Sequence, residues 1–427
     1  MRLLLLALLV TPLHAAIIGT STRAPSITAE RIASSPLKQR AAWVAYLQRS
    51  DAQRTIDRAT LAAERSLGAP EPALPKESSA ARSMNLHEET AHYAGPEGHH
   101  IADVIVSFQT PAGGWSKNLD MTGNLRAKGQ SYTPDNLNKH PSPDDFDTPR
   151  DSQWNYVGTL DNDATTTELR YLALVSTATP GPAGESYRTS FLRGIRYLLN
   201  AQFPNGGWPQ VWPLEGGYHD AITFNDNSVT DVAELLSDTA AGNGDYGFVP
   251  ADLRRQSGVA AARALDCILT AQIVIHGKRT VWAQQHDALT FQPVSGRNYE
   301  PASLSSGESA DLLLYLMHIA HPAPAVVEAI RSGIAWLEAA AIKDQVWIGG
   351  RATPGGRHLE PKAGAPLLWA RFYSIETSKP IFGDRDKTIH DDVSELSLER
   401  RNGYAWYSTG SQAALDAYKG SRKSHRP

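Results

Sequence analysis

The feature that most constrains this chain is a segment that occurs twice. Phe108-Gln109-Thr110-Pro111-Ala112-Gly113-Gly114-Trp115 is closely matched by Gln202-Phe203-Pro204-Asn205-Gly206-Gly207-Trp208-Pro209-Gln210, with the two tryptophans 93 residues apart. Each copy follows a stretch of helical character and closes in a Gly-Gly turn and a tryptophan. A helix–loop unit that recurs cannot bury its apolar face alone and must stack on its neighbours. The expected architecture is mainly α, an (α/α) toroid of helix pairs whose long loops share one face and build a polar site there. A looser echo, Val346-Trp347-Ile348-Gly349-Gly350, follows the helical stretch that ends near Ala340.

Apolar residues at three- and four-residue intervals predict helices over 41–67, 165–176, 187–202, 228–240, 251–272, 303–319 and 323–340. Ser186 before Tyr187, and Asn227-Ser228 before Val229, are start signals. Extended pieces are expected only near 280–282 and 289–293. The stretch 119–158 has almost no apolar periodicity, and loops of that length in a compact domain are usually functional or disordered. A second irregular stretch, 346–386, is rich in Gly, Pro, aromatic residues and Arg.

The ends are read separately. Met1-Arg2, the apolar run Leu3 to Val10 and the small residues to Ala16 read as a secretory signal peptide over 1–16. Residues 17–40 read as a flexible leader, 41–418 as a single catalytic domain, and 419–427 as a basic, frayed tail. The expected location is therefore secreted or periplasmic. With 41 Lys+Arg against 45 Asp+Glu the chain has a net charge of −4 and no basic surplus for nucleic acid. No apolar stretch reaches the ~18 residues of a membrane span, so no membrane partner is expected. The sole cysteine, Cys267, excludes an internal disulfide framework and multi-cysteine metal sites, and reads as a buried structural residue. Nothing implies an obligate partner, which leaves a monomer as the expectation.

Four polar loops concentrate the chemistry. One holds Lys117 and Asn118, a second Asp161-Asn162-Asp163, a third Asn225-Asp226-Asn227, and the fourth set Arg297, Tyr299 and Glu300 with the later Arg371 and Arg385. Asp161, Asp163 and Asp226 supply hard oxygen ligands of the kind Ca²⁺ takes, though their spacing matches no EF-hand. The competing role for Asp163 and Asp226 is helix capping. Arginine forks suit carboxylates, and the competing role for Arg371 and Arg385 is internal pairing with Glu376, Asp384 or Asp386. Acidic ligands, arginines and Trp platforms together fit an exported protein that handles an acidic sugar polymer.

These segments, 108–118, 160–168, 202–212, 222–234, 297–308 and 370–387, taken in order, resemble the family-10 polysaccharide lyases, which are pectate lyases. The resemblance runs from about Trp43 to Tyr418. It implies an (α/α) toroid, Ca²⁺ as cofactor and polygalacturonate as substrate, cleaved by β-elimination to 4,5-unsaturated oligogalacturonates. It also implies Asp163 and Asp226, with Asp161 nearby, as metal and substrate carboxylates. Arg297 matches the catalytic arginine, and Arg371 and Arg385 match the arginines that bind galacturonate carboxylates. Lys117, Asn118, Asn225 and Tyr299 complete the expected substrate contacts.

Elimination removes the C5 proton, α to the C6 carboxylate, and expels O4. Arginine is protonated at any ordinary pH, so a base at Arg297 calls for neighbouring cations and desolvation to lower its pKa. On chemistry alone Lys117 ranks above Arg297, and Tyr299 is a further alternative; the resemblance selects Arg297. Three other functions compete. An inverting glycoside hydrolase would pair Asp163 with Asp226 or Glu308, and a non-catalytic sugar-binding protein would use Trp115, Trp208 and Trp212 as platforms. A terpene cyclase would use Asp161-Asn162-Asp163 to protonate a double bond.

Overall fold

The computed structural model describes residues 17–65, 68, 70–78 and 84–424, so the signal expected over 1–16 lies outside the described residues. In chain order the helices are α1 (Ala29–Ala33), α2 (Leu37–Glu64), α3 (Thr90–Tyr93), α4 (Pro96–Phe108), α5 (Thr166–Ala178), α6 (Glu185–Ala201), α7 (Ser228–Ala241), α8 (Ala251–Ala271), α9 (Ser306–His318), α10 (Pro324–Ala340), α11 (Leu398–Gly403) and α12 (Gln412–Ser424). Helix α6 shows why such segments become helices here. It buries Tyr187, Ser190, Phe191, Gly194, Ile195, Tyr197, Leu198 and Ala201, a stripe at three- and four-residue spacing, and carries no β-branched run.

The helices form two layers. In the outer layer α4 packs on α6, α6 on α8 and α8 on α10; in the inner layer α5 packs on α7 and α9 on α12. This is the expected (α/α) toroid. One apolar core extends from Ile27 to Leu415, with two small satellite clusters. Inner-to-outer connections are short, 179–184, 242–250 and 319–323, whereas the outer-to-inner connections are long. All the long loops therefore lie at the end of the helices where the outer layer stops and the inner layer starts.

The repeat has four copies, not two. Trp115 Nε1 donates to the Ile105 carbonyl at 2.7 Å, Trp208 to Leu198 at 2.8 Å, Trp282 to Ile268 at 2.7 Å and Trp369 to Leu337 at 2.9 Å. In each, a buried indole donates to a carbonyl in the last turn of an outer helix. A glutamine after each of the first three outer helices reaches the next one. Gln109 Nε2 donates to Ser190 O, Gln202 to Ala260 O and Gln272 to Ala329 O, at 2.9, 2.9 and 3.0 Å. The fourth outer helix has no successor, and Ala341 stands where the glutamine would be.

The third and fourth copies are hidden in the sequence by insertions. A hairpin, Val274–Ile275 with Lys278–Arg279, separates Gln272 from Trp282. A longer one, Gln345–Ile348 with His358–Pro361, separates α10 from Trp369. The echo at Trp347 is therefore not a repeat; it is a strand of that second hairpin. The extended pieces expected at 280–282 and 289–293 fall instead at Lys278–Arg279 and Gln285–His286.

The ends also differ from expectation. Residues 17–40, read as a flexible leader, are built into the fold: Ile17–Thr20 pairs antiparallel with Thr388–His390, and α1 is tethered by an Arg31–Asp287 ion pair at 2.6 Å. That pairing makes Ile17–Thr20 the edge of a five-stranded sheet completed by Pro380–Gly383, Phe372–Tyr373 and Leu304–Ser305. The tail is helical through Ser424 as the end of α12. Periodicity missed both because a four-residue strand and a helix of polar composition take their stability from partners far away in sequence.

Gly206 and Gly207 show what the turn between helix and tryptophan demands. Gly206 has φ +97°, and a Cβ there would lie 2.1 Å from the Arg263 carbonyl oxygen of α8. Beside it, a Cβ on Gly207 would lie 3.0 Å from Cys267 Sγ. Cys267 is thus a packing residue under the turn, and burial pushes its thiol up to about 12. Gly206→Ala should cost on the order of 3 kcal/mol through backbone strain plus overpacking. Urea unfolding should show it as a lower midpoint at unchanged slope.

Candidate active site

Each of the four long loops contributes to one site. The first supplies Lys117, Asn118, Asp161 and Asp163, and the second Asn225 and Asp226. The third supplies Arg297, Tyr299 and Glu300, and the fourth Arg371, Arg385, Arg400 and Tyr404. Two of them end in the same unusual turn. Asn162 and Asp163 have φ +53° and +60°, and Asp226 and Asn227 have φ +49° and +57°. Asn and Asp tolerate this left-handed region better than other side-chain-bearing residues, and such strain gathers at functional sites. The two turns touch each other at the starts of α5 and α7. Neither helix is capped by an aspartate side chain: the N-cap positions are Thr165 and Asn227, and neither side chain makes a capping bond. Asp163 and Asp226 are free for another task.

Asp161 is the buried centre of the acidic side. Its carboxylate accepts Lys117 Nζ at 2.5 Å, Gln210 Nε2 at 2.8 Å and Asn225 Nδ2 at 3.4 Å. Lys117 Nζ also lies 3.4 Å from the centre of the Tyr156 ring. Burial opposes the Asp161 charge, but Lys117 outweighs it and holds the carboxyl below the usual range. Asp226 hydrogen-bonds Asp161, and its own carboxyl is pushed up by surrounding protein and by the Asp161 charge. Asp226 itself still faces open space. Asp163 is raised by burial and then by Asp161. Asp163 and Asp226 line a cavity of about 720 Å³ with Asn118, Asn162, Asn227 and Glu77.

The basic side is equally organised. Glu300, buried, accepts the Arg297 backbone N–H at 2.8 Å, Arg297 Nε at 3.0 Å and the Tyr404 hydroxyl at 2.7 Å. For Arg297, burial alone would lower the pKa, but Glu300 and then Tyr299 raise it well above the ordinary arginine value. The Arg297 side chain is still 35% exposed. Tyr299 is enclosed by Arg400, Arg385 and Arg297, at 4.2, 5.3 and 5.4 Å from its ring centre. Buried and ringed by guanidinium groups, it supports the arginines from below.

Arg371 joins the two sides. Its guanidinium donates to Glu308 at 2.6 Å and to Asn225 Oδ1 at 3.0 Å, and Asn225 Nδ2 donates to Asp226 at 2.7 Å. Arg385 pairs with Glu399 at 2.7 Å. Both arginines are thus internally paired, but with Glu308 and Glu399 rather than Glu376, Asp384 or Asp386. Of the remaining expected contacts, Asn118 donates to Asn136 Oδ1 at 3.0 Å and accepts from Asn162 at 3.0 Å. The loop 119–158 then crosses the site: Asn298 holds Ser142 at 2.8 Å, the Phe146 N–H at 2.9 Å and the Arg385 carbonyl at 2.8 Å.

Two alternatives lose their groups in this geometry. Trp115, Trp208 and Trp212 are at most 2% exposed and cannot be sugar platforms. Of the partners an inverting hydrolase would give Asp163, Glu308 is engaged by Arg371 and Ser305. Asp226 is engaged by Asn225 Nδ2 at 2.7 Å and lies close to Asp161. Sequence reasoning missed Glu399 and Tyr404, which have no local signature and reach the site only through the fold.

Similarity to known proteins identifies the family. The model of the pectic acid lyase family matches residues 109–415. The chain belongs to that family. A solved family 10 polysaccharide lyase from Cellvibrio cellulosa is 30% identical, with a TM-score of 0.64 over 78% of this chain and 94% of that one. A mutant of a family 10 polysaccharide lyase from Cellvibrio cellulosa, solved in complex with trigalacturonic acid, is 29% identical with the same TM-score over 78% of this chain and 95% of that one. No curated protein matches the chain. This polysaccharide lyase therefore carries its four-loop site on the toroid of its family.

The Lys117–Asp161 pair gives this lyase a direct test of its acidic centre. Both side chains are largely buried, 13% and 7% exposed. Lys117→Met strands a buried carboxylate and should cost about 3 kcal/mol. Adding Asp161→Asn should recover most of that loss, as a double-mutant cycle of urea midpoints would show.

Proposed function

We propose that this lyase is an exported pectate lyase that cleaves α-1,4-polygalacturonate by calcium-assisted β-elimination, giving 4,5-unsaturated oligogalacturonates. The observation that carries the reading is the junction through Arg371 and Asn225, which sets three arginines beside a group of carboxylates. That arrangement matches a substrate with one carboxylate per sugar. The solved relative with trigalacturonic acid supports the same substrate class. Export rests on the character of residues 1–16.

The residues present fit a calcium ion. Asp163 and Asp226 are both pushed toward the protonated form, by burial and then by the Asp161 charge; a cation would offset that charge, and their cavity is lined by amide and carboxylate side chains. Among the described residues no three His, Cys, Asp or Glu side chains are grouped to hold a metal, so two carboxylates leave much of the shell to other oxygens. When bound, Ca²⁺ supplies charge neutralisation at the substrate carboxylate.

The chain's own groups supply the rest. Arg371 and Arg385 orient uronate carboxylates and stabilise the charge that develops as C5 loses its proton, an interaction strongest in the transition state. Arg371 Nε is buried and has no hydrogen-bond partner among the described residues. Arg297 takes the C5 proton, the C4–C5 double bond forms and O4 leaves. Glu300 and Tyr404 hold the guanidinium in place, at the cost of raising its pKa.

An ultraviolet absorbance assay on polygalacturonate tests the reaction, since an unsaturated product arises from elimination and not from hydrolysis. Chelator should abolish the absorbance rise, and Ca²⁺ more than Mg²⁺ should restore it. Full activity in excess chelator would remove the metal.

The base has its own signature. Because the Arg297 pKa is raised, its neutral fraction is small throughout the neutral range, so the rate should climb almost tenfold per pH unit well into alkaline conditions. Lysine starts from ~10.4, so Arg297→Lys should shift the limb toward neutral with partial activity, and Arg297→Ala should be folded and nearly inactive. A limb at about pH 6–7 that persists in Arg297→Ala would assign the base to a histidine or carboxylate instead.

A further inference from the structure

The hairpin inserted between α10 and Trp369 does more than interrupt the repeat. Its tip, between Gln345–Ile348 and His358–Pro361, is fastened to the fourth site loop. Asn402 Oδ1 accepts the Arg357 backbone N–H at 2.8 Å, and the Gly355 carbonyl accepts from Arg401. The Arg357 guanidinium lies 5.9 Å from the Trp347 ring centre. Held in this way, Arg351 and Arg357 line a cavity of about 560 Å³ whose other walls include Arg371, Asn402, Gly403 and Tyr404. The cavity is therefore continuous with a residue of the active site, but Asp226 and Asn225 are not part of it.

Charge distinguishes these two arginines from the rest. Arg297, Arg371 and Arg385 are each matched by a protein carboxylate, Glu300, Glu308 and Glu399. Among the described residues Arg351 and Arg357 form no ion pair. Two guanidinium groups sharing a wall without a counter-charge favour an anionic ligand, and a planar fork favours a carboxylate. A polyuronate chain long enough to fill the positions at Arg297, Arg371 and Arg385 brings further carboxylates past them, because every ring carries one. Three guanidinium groups, those of Arg351, Arg357 and Arg371, share the lining with Asn402 and the half-buried Tyr404, a charge balance that suits the acid group of a uronate.

We propose that the 345–361 hairpin and the 402–405 turn form an additional subsite, in which Arg351 and Arg357 bind a galacturonate carboxylate beyond the one at Arg371. The inference rests on the pectate-lyase reading for its ligand. The hairpin then acts as a length sensor, tightening long chains and leaving short ones unaffected.

The test compares trigalacturonate with hexagalacturonate, by calorimetric affinity and by rate of unsaturated product, in the wild type and in an Arg351→Gln/Arg357→Gln variant. Hexamer affinity should fall about tenfold, the value of one charge-assisted contact, while trimer affinity changes less than about twofold on the same scale. The corresponding double Arg→Lys variant should recover part of the hexamer affinity by keeping the charge, and raised salt should shrink the wild-type advantage of the hexamer. Equal losses for both lengths, or no loss for either, would overturn the subsite. If the wild type binds hexamer through these arginines but yields no unsaturated product, the lyase mechanism fails and the subsite stands. Unsaturated product formed with unchanged length preference in the Gln variant sinks the subsite and leaves the lyase reading intact.

Discussion

Everything in this molecule depends on how an outer helix is ended. The last carbonyls of an α-helix need partners from outside it, and here a buried indole N–H four times binds one carbonyl of the last turn, at Ile105, Leu198, Ile268 and Leu337. The same tryptophan fills the space beneath the adjoining loop, so one side chain both stops the helix and supports the irregular backbone above it. The accompanying glutamine, at Gln109, Gln202 and Gln272, ties that end to the next outer helix. Helix termination and stacking of the outer layer are thus one set of interactions. Long loops can be irregular above them because the ground they stand on is rigid.

That rigidity is needed because the site concentrates like charges. Asp161, Asp163 and Asp226 repel each other, as the raised carboxyls of the latter two show. Three arginines lie around Tyr299. Each cluster is stable only because it is threaded with the opposite sign: Lys117 on Asp161, Glu300 on Arg297, Glu308 on Arg371, Glu399 on Arg385. The positive-φ turns at Asn162-Asp163 and Asp226-Asn227 add backbone strain to this electrostatic load. The compensation lies in the packed layers below, where the tryptophans of the repeat are almost fully buried.

Glu300 embodies the tension between structure and chemistry. By accepting bonds from the Arg297 backbone and side chain and from Tyr404, it fixes the guanidinium in the site. The same negative charge keeps that guanidinium protonated, so in the proposed mechanism it leaves a smaller neutral fraction to accept a proton. One residue thus sets both orientation and proton affinity, and for the proposed base the two pull in opposite directions.

The sequence by itself determined the helical periodicity, the two close copies of the Gly-Gly-Trp turn and the six motifs that mark the family. It also marked the polar residues Lys117, Asp161, Asp163, Asp226, Arg297, Arg371 and Arg385, because these signals are local: spacing within a helix, or a few polar residues beside a turn. Only the tertiary structure decided that Trp282 and Trp369 continue the repeat, since inserted hairpins erase its spacing in the chain. It alone paired Ile17–Thr20 with Thr388–His390, buried the tryptophans that looked like platforms, and chose Glu308 and Glu399 over nearer carboxylates as arginine partners. Those choices turn on which groups meet across hundreds of residues and which of them lose water, and neither is written in the order of neighbouring residues.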